Sequence, residues 1–507
     1  MEKKETTIWT VQVDGKGEQI HNFWNNIHFH PTDAIEDDWG RRILDQVSRD
    51  HVAQYIRIYA MLEDVVSRSS DGILIYNFEE TDRRIDYLVE KGFRLLICFN
   101  FLPTAIAANP QCMSKLPRYK GKRINTSEPA DYEEWEEVCC TYTAHLFERY
   151  GEKNLKQWYF HCWNEPDFPQ YFMSDTDRKS EMGKVIEAYC RLYDHFAKGV
   201  TKACTSVKIG GPSAALSNDF IRGFLTHVSQ GIRIDFLSIH TYGTFPIYLE
   251  QGEVVGVENT LHRVMELKKL AEECGFPKLE ILVDEWGLST EGFTSAEQSP
   301  PLVFRNTELY ASGYAHLINV YTRKKVPVSR QMICLSGQHN LEKDFHGYRN
   351  FFTLSGFPKP IYNAYALAAK LGDYLLESPE FDEKNEIGIF PTKANDGRVA
   401  VMLYRFHPNT KKQTEPIHIQ LILKGLEGRY RVHHYRIDHE NCNSYTAWCE
   451  RGKKPHSNQK EQQEILDAGK LKLWYPEEVQ DICENWHLDL VMPENAISLL
   501  ELIPYEK

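Results

Sequence analysis

The chain has 507 residues, a net charge of −13 and 42% hydrophobic residues, enough apolar material for a large core in two or three domains. The acidic balance argues against nucleic acid as the main partner, because phosphate binding requires a basic face. A membrane span is not expected either, since no run of about 18 apolar residues is present.

The amino-terminal residues and the cysteines favour a cytoplasmic protein. Residues 6–11 alternate polar and apolar side chains and lack the apolar centre of a secretion signal. The 12 cysteines include no CxxC pair, and several lie inside apolar patterns, as reduced core thiols do. We therefore expect no metal site, because the pairs His28/His30 and His433/His434 lack the further ligands that a metal requires.

The first 20 residues contain one predicted strand, at 8–13, which we expect to join a carboxyl-terminal sheet. From His21 onward, short apolar runs alternate with amphipathic stretches, the pattern of a parallel sheet wrapped by helices. Strands are predicted near residues 22–28, 55–59, 94–99, 158–165, 207–212, 236–240, 279–285 and 331–335. Helices are predicted near residues 37–50, 79–91, 132–150, 178–203, 219–228, 259–273, 303–319 and 362–371.

Eight strand–helix units of this kind predict an α/β fold, a (β/α)8 TIM barrel over residues 21–372. In such a barrel the carboxyl ends of all strands share one face. The alternative, an open doubly wound sheet, would require a glycine-rich turn after the first strand, and the sequence has none there.

The pattern changes after Gly372. Short, alternating segments at residues 398–404, 417–421, 430–435 and 497–502 are typical of antiparallel strands bounded by turns. We therefore predict an antiparallel β-sandwich over residues 373–507, with a charged helical insertion at 459–468. Its aromatic residues occupy core-like positions, which favours structural support over sugar binding.

Two of the predicted barrel strands end in a glutamate. Glu165 follows an aromatic run and precedes Pro166, which cannot donate to a strand ladder and so ends the strand. Glu285 follows the apolar run 279–283 and Asp284. Carboxylates at the carboxyl-terminal face of a barrel indicate a catalytic role. Glycoside hydrolysis requires two of them on opposite sides of one bond. A glutamate that only caps the next helix is the alternative for Glu165.

Short motifs distributed in order along the barrel carry a family resemblance: residues 54–57 (QYIR), 99–103 (FNFLP), 149–151 (RYG), 163–166 (WNEP), 209–212 (IGGP), 238–243 (SIHTYG), 284–286 (DEW) and 359–365 (KPIYNAY). With them the chain resembles glycoside hydrolase family 39 of clan A, which contains β-xylosidases and α-L-iduronidases. The resemblance implies a barrel with an attached β-sandwich. It also implies a retaining mechanism, with Glu165 as the acid/base and Glu285 as the nucleophile.

In that mechanism the two carboxyl groups lie about 5–5.5 Å apart. Glu165 would begin protonated because of the negative charge of Glu285, and would become a base once Glu285 is an ester. The chemistry requires no cofactor and no metal.

Further site residues follow from the resemblance. Asn164 would bind the sugar 2-hydroxyl, unless it only caps a helix. Arg57 would hold Glu285 ionised, unless it pairs with a structural aspartate. His240 and Tyr242 lie two apart at a strand end and so project to one side, where the resemblance implies contact with the nucleophile and the sugar; a satisfied core histidine is the alternative.

Phe101 and Trp286 are expected to stack on sugar faces, with Trp286 preferred, although barrel packing would also explain either ring. The chain departs from the family pattern in its substrate pocket. Tyr59 stands where the xylosidases have a histidine, and residues 333–340 lack their tryptophan and acid pair. The reaction class is therefore retained while the xylose assignment is not.

We predict a retaining glycoside hydrolase that removes a non-reducing-end sugar from small oligosaccharides. A β-xylosidase proper and a non-catalytic carbohydrate-binding barrel are the alternatives. Activity on acidic, iduronide-like sugars is less expected in so acidic a chain, unless a local basic pocket overcomes the net charge. The expected partner is an oligosaccharide or glycoside, with no nucleic acid and no membrane; a homo-oligomer is left open.

Overall fold

The computed structural model describes residues 6–29, 35, 38–115, 123–292, 294–336, 341–454 and 458–505. His30 and residues 337–340, on which the sequence predictions drew, lie outside this part of the chain. Two strands come first, β1 (Thr6–Gln12) and β2 (Glu18–Gln19).

The next region alternates strands and helices. Its elements are β3 (Asn26–His28), α1 (Asp38–Arg49), β4 (Tyr55–Tyr59), α2 (Leu62–Val65), β5 (Val66–Arg68), β6 (Leu74–Tyr76), α3 (Glu79–Glu90), β7 (Arg94–Phe99), α4 (Tyr132–Leu155), β8 (Tyr159–Cys162), α5 (Met182–Ala203), β9 (Lys208–Ala214), α6 (Asn218–Val228), β10 (Phe236–Thr244), α7 (Pro246–Gln251), α8 (Gly256–Glu273), β11 (Glu280–Ser289), α9 (Glu308–Arg323), β12 (Arg330–Cys334) and α10 (Pro360–Ala368). Short 3-10 helices lie at Thr104–Ile106 and Pro300–Asn306.

Eight of these strands close into a barrel in the order β3, β4, β7, β8, β9, β10, β11, β12, and every neighbouring pair is parallel. The predicted (β/α)8 barrel is therefore confirmed. Strands β4 and β12 are buried along almost their whole length, because helices cover the outside of a parallel barrel and side chains fill its inside.

Local signals in the sequence set several helix boundaries. The side chain of Asp131 caps α4 by accepting from the Glu133 amide, and Ser217 caps α6 by accepting from the Phe220 amide. Gly151, with a φ of 72°, interrupts α4 close to where the sequence predicted its end. None of the helices in the described residues is both long and apolar enough to cross a membrane.

The carboxyl-terminal region is rich in strands. Its elements are β13 (Tyr374–Leu375), β14 (Ile387–Lys393), β15 (Val399–Arg405), β16 (Ile417–Ile437), α11 (Ser444–Glu450), α12 (Gln459–Gly469), β17 (Glu478–Met492) and β18 (Ala496–Pro504). They form one curled sheet in the order β1, β16, β18, β15, β14, β13, β2, with β17 paired to β16. Apolar side chains of strands far apart in this order, such as Val11 of β1 and Ile389 of β14, belong to one buried core.

The sheet is antiparallel except for the β1–β16 pair, which is parallel. The sequence predicted two strands at 417–421 and 430–435, whereas β16 is one long strand whose register against β17 shifts between Lys424 and Leu426. Strands β14 and β17 and helix α11 were not predicted. The predicted insertion at 459–468 corresponds to α12, which begins with a capping box between Asn458 and Glu461.

Candidate active site

The predicted site residues meet at the carboxyl end of the barrel. In the register of the strands, Arg57 lies opposite His28 and His240 lies opposite Glu285. Glu165 follows β8 in a tight turn with a φ of 47°, and its backbone N–H donates to the Ser213 carbonyl over 3.1 Å. A positive φ is uncommon outside glycine and marks a backbone that its surroundings hold in place.

The carboxylate of Glu285 is surrounded by donors. Arg57 Nη1 donates to Oε1 over 2.6 Å, and the Tyr242 hydroxyl donates to Oε2 over 2.6 Å. His28 Nδ1 lies 3.2 Å from Oε1. Burial alone would raise the pKa of Glu285, but His240, His28 and Arg57 hold it well below its usual value. Glu285 is therefore ionised and fixed in one orientation.

Arg57 links the two strands that carry the glutamates. It is fully buried, and its Nη2 donates to Asn164 Oδ1 over 2.6 Å. Its Nε lies 3.2 Å from Asp284 Oδ2. Burial alone would lower the pKa of Arg57, whereas Asp284, Tyr59 and Glu285 raise it. The arginine thus pairs both with the candidate nucleophile and with a structural aspartate, so the two interpretations of Arg57 coexist.

Glu165 has a different environment. Its Oε1 lies 2.8 Å from His240 Nδ1. Burial raises the pKa of Glu165, and the charges of Glu285 and Asp167 add to this, while His240 opposes it. Burial alone would lower the pKa of His240, but Glu285 and Asp284 raise it to about 10. The two glutamates therefore have pKa values shifted in opposite directions, as an acid and a nucleophile require.

The two carboxylates are close together. One oxygen of each lies within 4.8 Å of the other and of a His240 nitrogen. His28, Glu285 and Cys334 form a second set of three ligand-type atoms within the same distance. Both sets include Glu285, whose charge Arg57 already neutralises at 2.6 Å, so a cation at either place would be repelled by the guanidinium. The arrangement fits acid–base and nucleophilic chemistry better than metal binding.

A cavity of about 1100 Å³ opens above these carboxylates. The predicted site residues among those that line it are Tyr59, Phe101, Asn164, Glu165, His240, Tyr242 and Glu285. Asn164 Oδ1 accepts from Arg57, so its amide nitrogen is the atom left for a ligand. Arg57 contacts Glu285 from beneath the cavity.

Trp286 does not have the predicted position. It is 0% exposed and stacks on Tyr314, with ring centroids 6.0 Å apart, while Tyr314 stacks on Tyr365 at 4.0 Å. Glu285 lines the cavity, whereas Trp286, which follows a register shift in β11, packs against Tyr314 of helix α9. The sugar-stacking interpretation is wrong for Trp286; of the two rings predicted to stack on a sugar, Phe101 is the one that lines the cavity.

Several cavity residues were not predicted as site residues. His28 was considered only as a weak metal candidate, yet it contacts Glu285. Arg349 lies in the segment after β12, with its guanidinium 4.5 Å above the Tyr242 ring, and no carboxylate of the described residues pairs with it. Its Nε and Nη1 are buried without a hydrogen-bond partner there. The sequence around residue 349 carries no motif that would have indicated this.

The segment that carries Arg349 is held rigidly. Five consecutive carbonyls, from Phe345 to Arg349, each accept a hydrogen bond from another element: from Asn306, Ala296, Arg305, Lys359 and Ser336. Helices α11 and α12 cover the outer side of this segment. There Trp448 and Tyr445 pack on Phe345, with centroids 5.0 and 5.4 Å from its ring.

Comparison with known proteins places these features in a family. The model of the family described as "Glycosyl hydrolases family 39" matches residues 8–479. The "Beta-xylosidase" of Caldicellulosiruptor saccharolyticus is 27% identical over 495 residues, 93% of either chain. The "Alpha-L-iduronidase" of Homo sapiens is 24% identical over 262 residues, which is 46% of this chain and 36% of that protein.

A solved structure, that of a monomeric β-xylosidase from Caulobacter crescentus CB15, has the same fold. Its TM-score is 0.82 at 21% identity, with 99% of this chain and 100% of that chain covered. The resemblance predicted from the motifs is therefore confirmed. The chain belongs to family 39 of the glycosyl hydrolases, and it is an O-glycosyl hydrolase.

Proposed function

We propose that this glycosidase works with retention, through Glu285 as nucleophile and Glu165 as acid/base. In the first step a Glu285 oxygen attacks the anomeric carbon, the bond from that carbon to the leaving oxygen breaks, and Glu165 gives its proton to that oxygen. In the second step Glu165 takes a proton from water, whose oxygen attacks the anomeric carbon and displaces Glu285. Two inversions give net retention.

One observation carries this proposal: two carboxyl groups whose oxygens lie within 4.8 Å have pKa values shifted in opposite directions. The separation supports retention, because inverting enzymes hold the pair about 6.5–9.5 Å apart to leave room for water. Once Glu285 is esterified, its charge no longer raises the pKa of Glu165, which then acts as the base.

Asn164 and Arg57 prepare the site for the transition state. The Asn164 oxygen is held by Arg57 over 2.6 Å, which turns the amide nitrogen towards a sugar hydroxyl. A hydrogen bond to the 2-hydroxyl strengthens as the oxocarbenium ion develops. The arginine thereby couples the orientation of Glu285 to that of the group that binds the sugar.

The substrate we propose is a small oligosaccharide or other glycoside from which one non-reducing-end sugar is removed. The named relatives act on β-xylosides and α-L-iduronides. In this enzyme the sugar would lie beside Tyr59, at the position where the xylosidases have a histidine. A β-xylosidase activity is one candidate, suggested by the names of the relatives.

An acidic sugar is the second candidate, and Arg349 favours it. This guanidinium lines the cavity and is 6% exposed, and no carboxylate of the described chain pairs with it. A buried charge is costly unless it is paired, so an anionic group on the substrate would complete the site. The local basic group could then outweigh the net charge of −13.

The test is hydrolysis of aryl glycosides of both anomers, with xyloside, arabinoside, glucoside, galactoside and glucuronide compared. Wild-type activity on one sugar should disappear in Glu285→Ala and fall in Glu165→Ala, least for the aryl groups that leave most readily, and the first sugar released should keep the anomeric configuration of the substrate. Release of the opposite anomer would refute retention.

Glu285→Gln separates catalysis from binding. Loss of a covalent nucleophile costs several orders of magnitude in rate, so the variant should bind the glycoside but not turn it over. A wild type that only binds, with the same affinity as Glu285→Gln, would support the carbohydrate-binding alternative instead.

A further inference from the structure

The mouth of the cavity carries two exposed apolar side chains. Leu216 is 61% exposed and Phe245 is 50% exposed, and both line the cavity. They follow β9 and β10, the two strands that lie between those carrying Glu165 and Glu285. Exposed apolar side chains that adjoin a cavity mark a binding surface.

The lining of this mouth and the lining deeper in the cavity differ in exposure. The residues at its deep end, such as His28 and Tyr59, are buried and would enclose the sugar attacked by Glu285. The leaving group is on the far side of the scissile bond and receives its proton from Glu165. Of the two regions, only the one around Leu216 and Phe245 opens outward, where a group of variable size can be held.

Leu216 is fastened to the acid/base turn by Asp167. The buried carboxylate of Asp167, two residues after Glu165, accepts the backbone N–H groups of Ala215, Leu216 and Ser217 over 3.0, 2.6 and 2.8 Å. The backbone of Phe245 is also held, since its carbonyl accepts from the Tyr248 amide over 3.0 Å. The backbone of Leu216 is thus held relative to Glu165, and Phe245 is held by the first turn of helix α7.

Several polar side chains beside them are hydrogen-bonded within the protein, although Arg263 Nη2 is buried without a partner among the described residues. Asn218 Nδ2 donates to Glu266 Oε1 over 2.6 Å, and Arg263 Nη1 donates to Glu266 Oε2 over 3.3 Å. Asn259 Nδ2 donates to the Gly243 carbonyl over 2.7 Å. A second sugar would need free partners for its hydroxyl groups, whereas an apolar ring would not.

From this arrangement, and on the basis of the function proposed above, we infer that Leu216 and Phe245 form a subsite for an aromatic leaving group. The substrate would be a glycoside of an aryl or arylmethyl alcohol, whose ring packs between the two side chains. Its oxygen takes the Glu165 proton as the bond to the anomeric carbon breaks, and the free alcohol departs through the mouth. Asp167 is the positioning residue of this subsite.

The test compares benzyl and methyl glycosides of the sugar that the enzyme accepts. The two alcohols have similar acidity, so the chemistry is matched and only the ring differs. The wild type should prefer the benzyl glycoside by about tenfold or more in kcat/KM, the scale of one ring contact. Phe245→Ala and Leu216→Ala should each reduce this preference, the ratio of the two kcat/KM values, to within about threefold.

Ile247→Ala is the matched control. Ile247 is 60% exposed on helix α7, close in sequence to Phe245 but outside the set of described residues that line the cavity, so its removal should keep the benzyl preference. Inhibition constants of both glycosides against a chromogenic substrate give the same comparison where turnover is slow. A wild type without the preference, or variants that retain it, would overturn the inference. Failure to cleave any glycoside would instead refute the proposed function.

Discussion

The Nδ1 atom of His240 lies 2.8 Å from Oε1 of Glu165. The same nitrogen lies 3.6 Å from Oε2 of Glu285, so one imidazole faces both carboxylates. Behind it, Nε2 lies 3.7 Å from Asp284 Oδ2. Because three carboxylates surround it, the pKa of His240 is raised to about 10, and its positive charge acts on Glu165 and Glu285 together.

The first prediction is a bell-shaped dependence of kcat/KM on pH. The rate should fall at low pH as Glu285, whose pKa is held below 4.5, takes up a proton. It should fall at higher pH as Glu165, whose pKa is raised above 4.5, loses the proton it must donate. In Glu165→Gln, assayed on a substrate with a good leaving group, the alkaline fall should vanish; its persistence would assign the acid elsewhere.

The second prediction concerns His240→Gln. The charge of His240 lowers the pKa of both carboxylates, so its removal should raise both values and move both limbs of the profile to higher pH. The measurement is the pH dependence of kcat/KM for the variant beside the wild type. An unchanged profile would mean that the imidazole is neutral in the enzyme.

The third prediction is that Tyr242→Phe moves only the acidic limb. The hydroxyl donates to Glu285 over 2.6 Å, and the loss of a hydrogen bond to an ionised group raises the pKa of that group. Such a bond contributes about 1.5–3 kcal/mol, so kcat/KM should fall by roughly tenfold to a hundredfold. A shift of the alkaline limb in this variant would contradict the geometry.

Much of this site could be predicted because the two candidate glutamates follow apolar runs in the sequence. Glu165 follows β8, and Glu285 follows the apolar run that begins β11, which continues to Ser289; the parallel barrel brings the carboxyl ends of its strands to one face. The error at Trp286 came from reading residue type alone: β11 has a register shift between Val283 and Trp286, so Asp284 and Glu285 both contact Arg57 while Trp286 packs on Tyr314 of helix α9.

Other features depend on tertiary contacts that no local pattern carries. Arg349 reaches the cavity from a segment that is positioned by hydrogen bonds to its own carbonyls. Strand β16 continues through a register shift where the sequence indicated a turn, because Gly425 takes a φ of 76° there and the chain remains paired with β17.

The fourth prediction separates neutral from acidic sugars. Arg349→Gln removes the cavity guanidinium, and a hydrogen bond between charged groups contributes about 1.5–3 kcal/mol. If the substrate is a uronide, kcat/KM should fall by roughly tenfold to a hundredfold. Arg349→Lys should give an intermediate value, because lysine keeps the positive charge but cannot donate two parallel hydrogen bonds to a carboxylate as the guanidinium does. On the neutral xyloside the loss should be small. Equal losses on both sugars would assign Arg349 a structural role.

The fifth prediction tests the packing of helix α11 on the segment that carries Arg349. Trp448→Ala removes the ring that lies 5.0 Å from Phe345 and should lower Tm by a few degrees and kcat/KM by about tenfold. Val479→Ala, at a 40% exposed position of β17, is the control and should change neither. A lower Tm with unchanged kcat/KM would show that the segment carrying Arg349 keeps its conformation without the packing of Trp448.

Helices α11 and α12 belong to the strand-rich region, yet they cover a segment of the barrel that lines the cavity. Recombination between relatives is therefore constrained. A chimera that joined this barrel to another protein's carboxyl-terminal sheet would keep Glu165 and Glu285. It would lose the packing of α11 and α12 on the segment that carries Arg349, so its substrate preference should depend on which carboxyl-terminal sheet it contains.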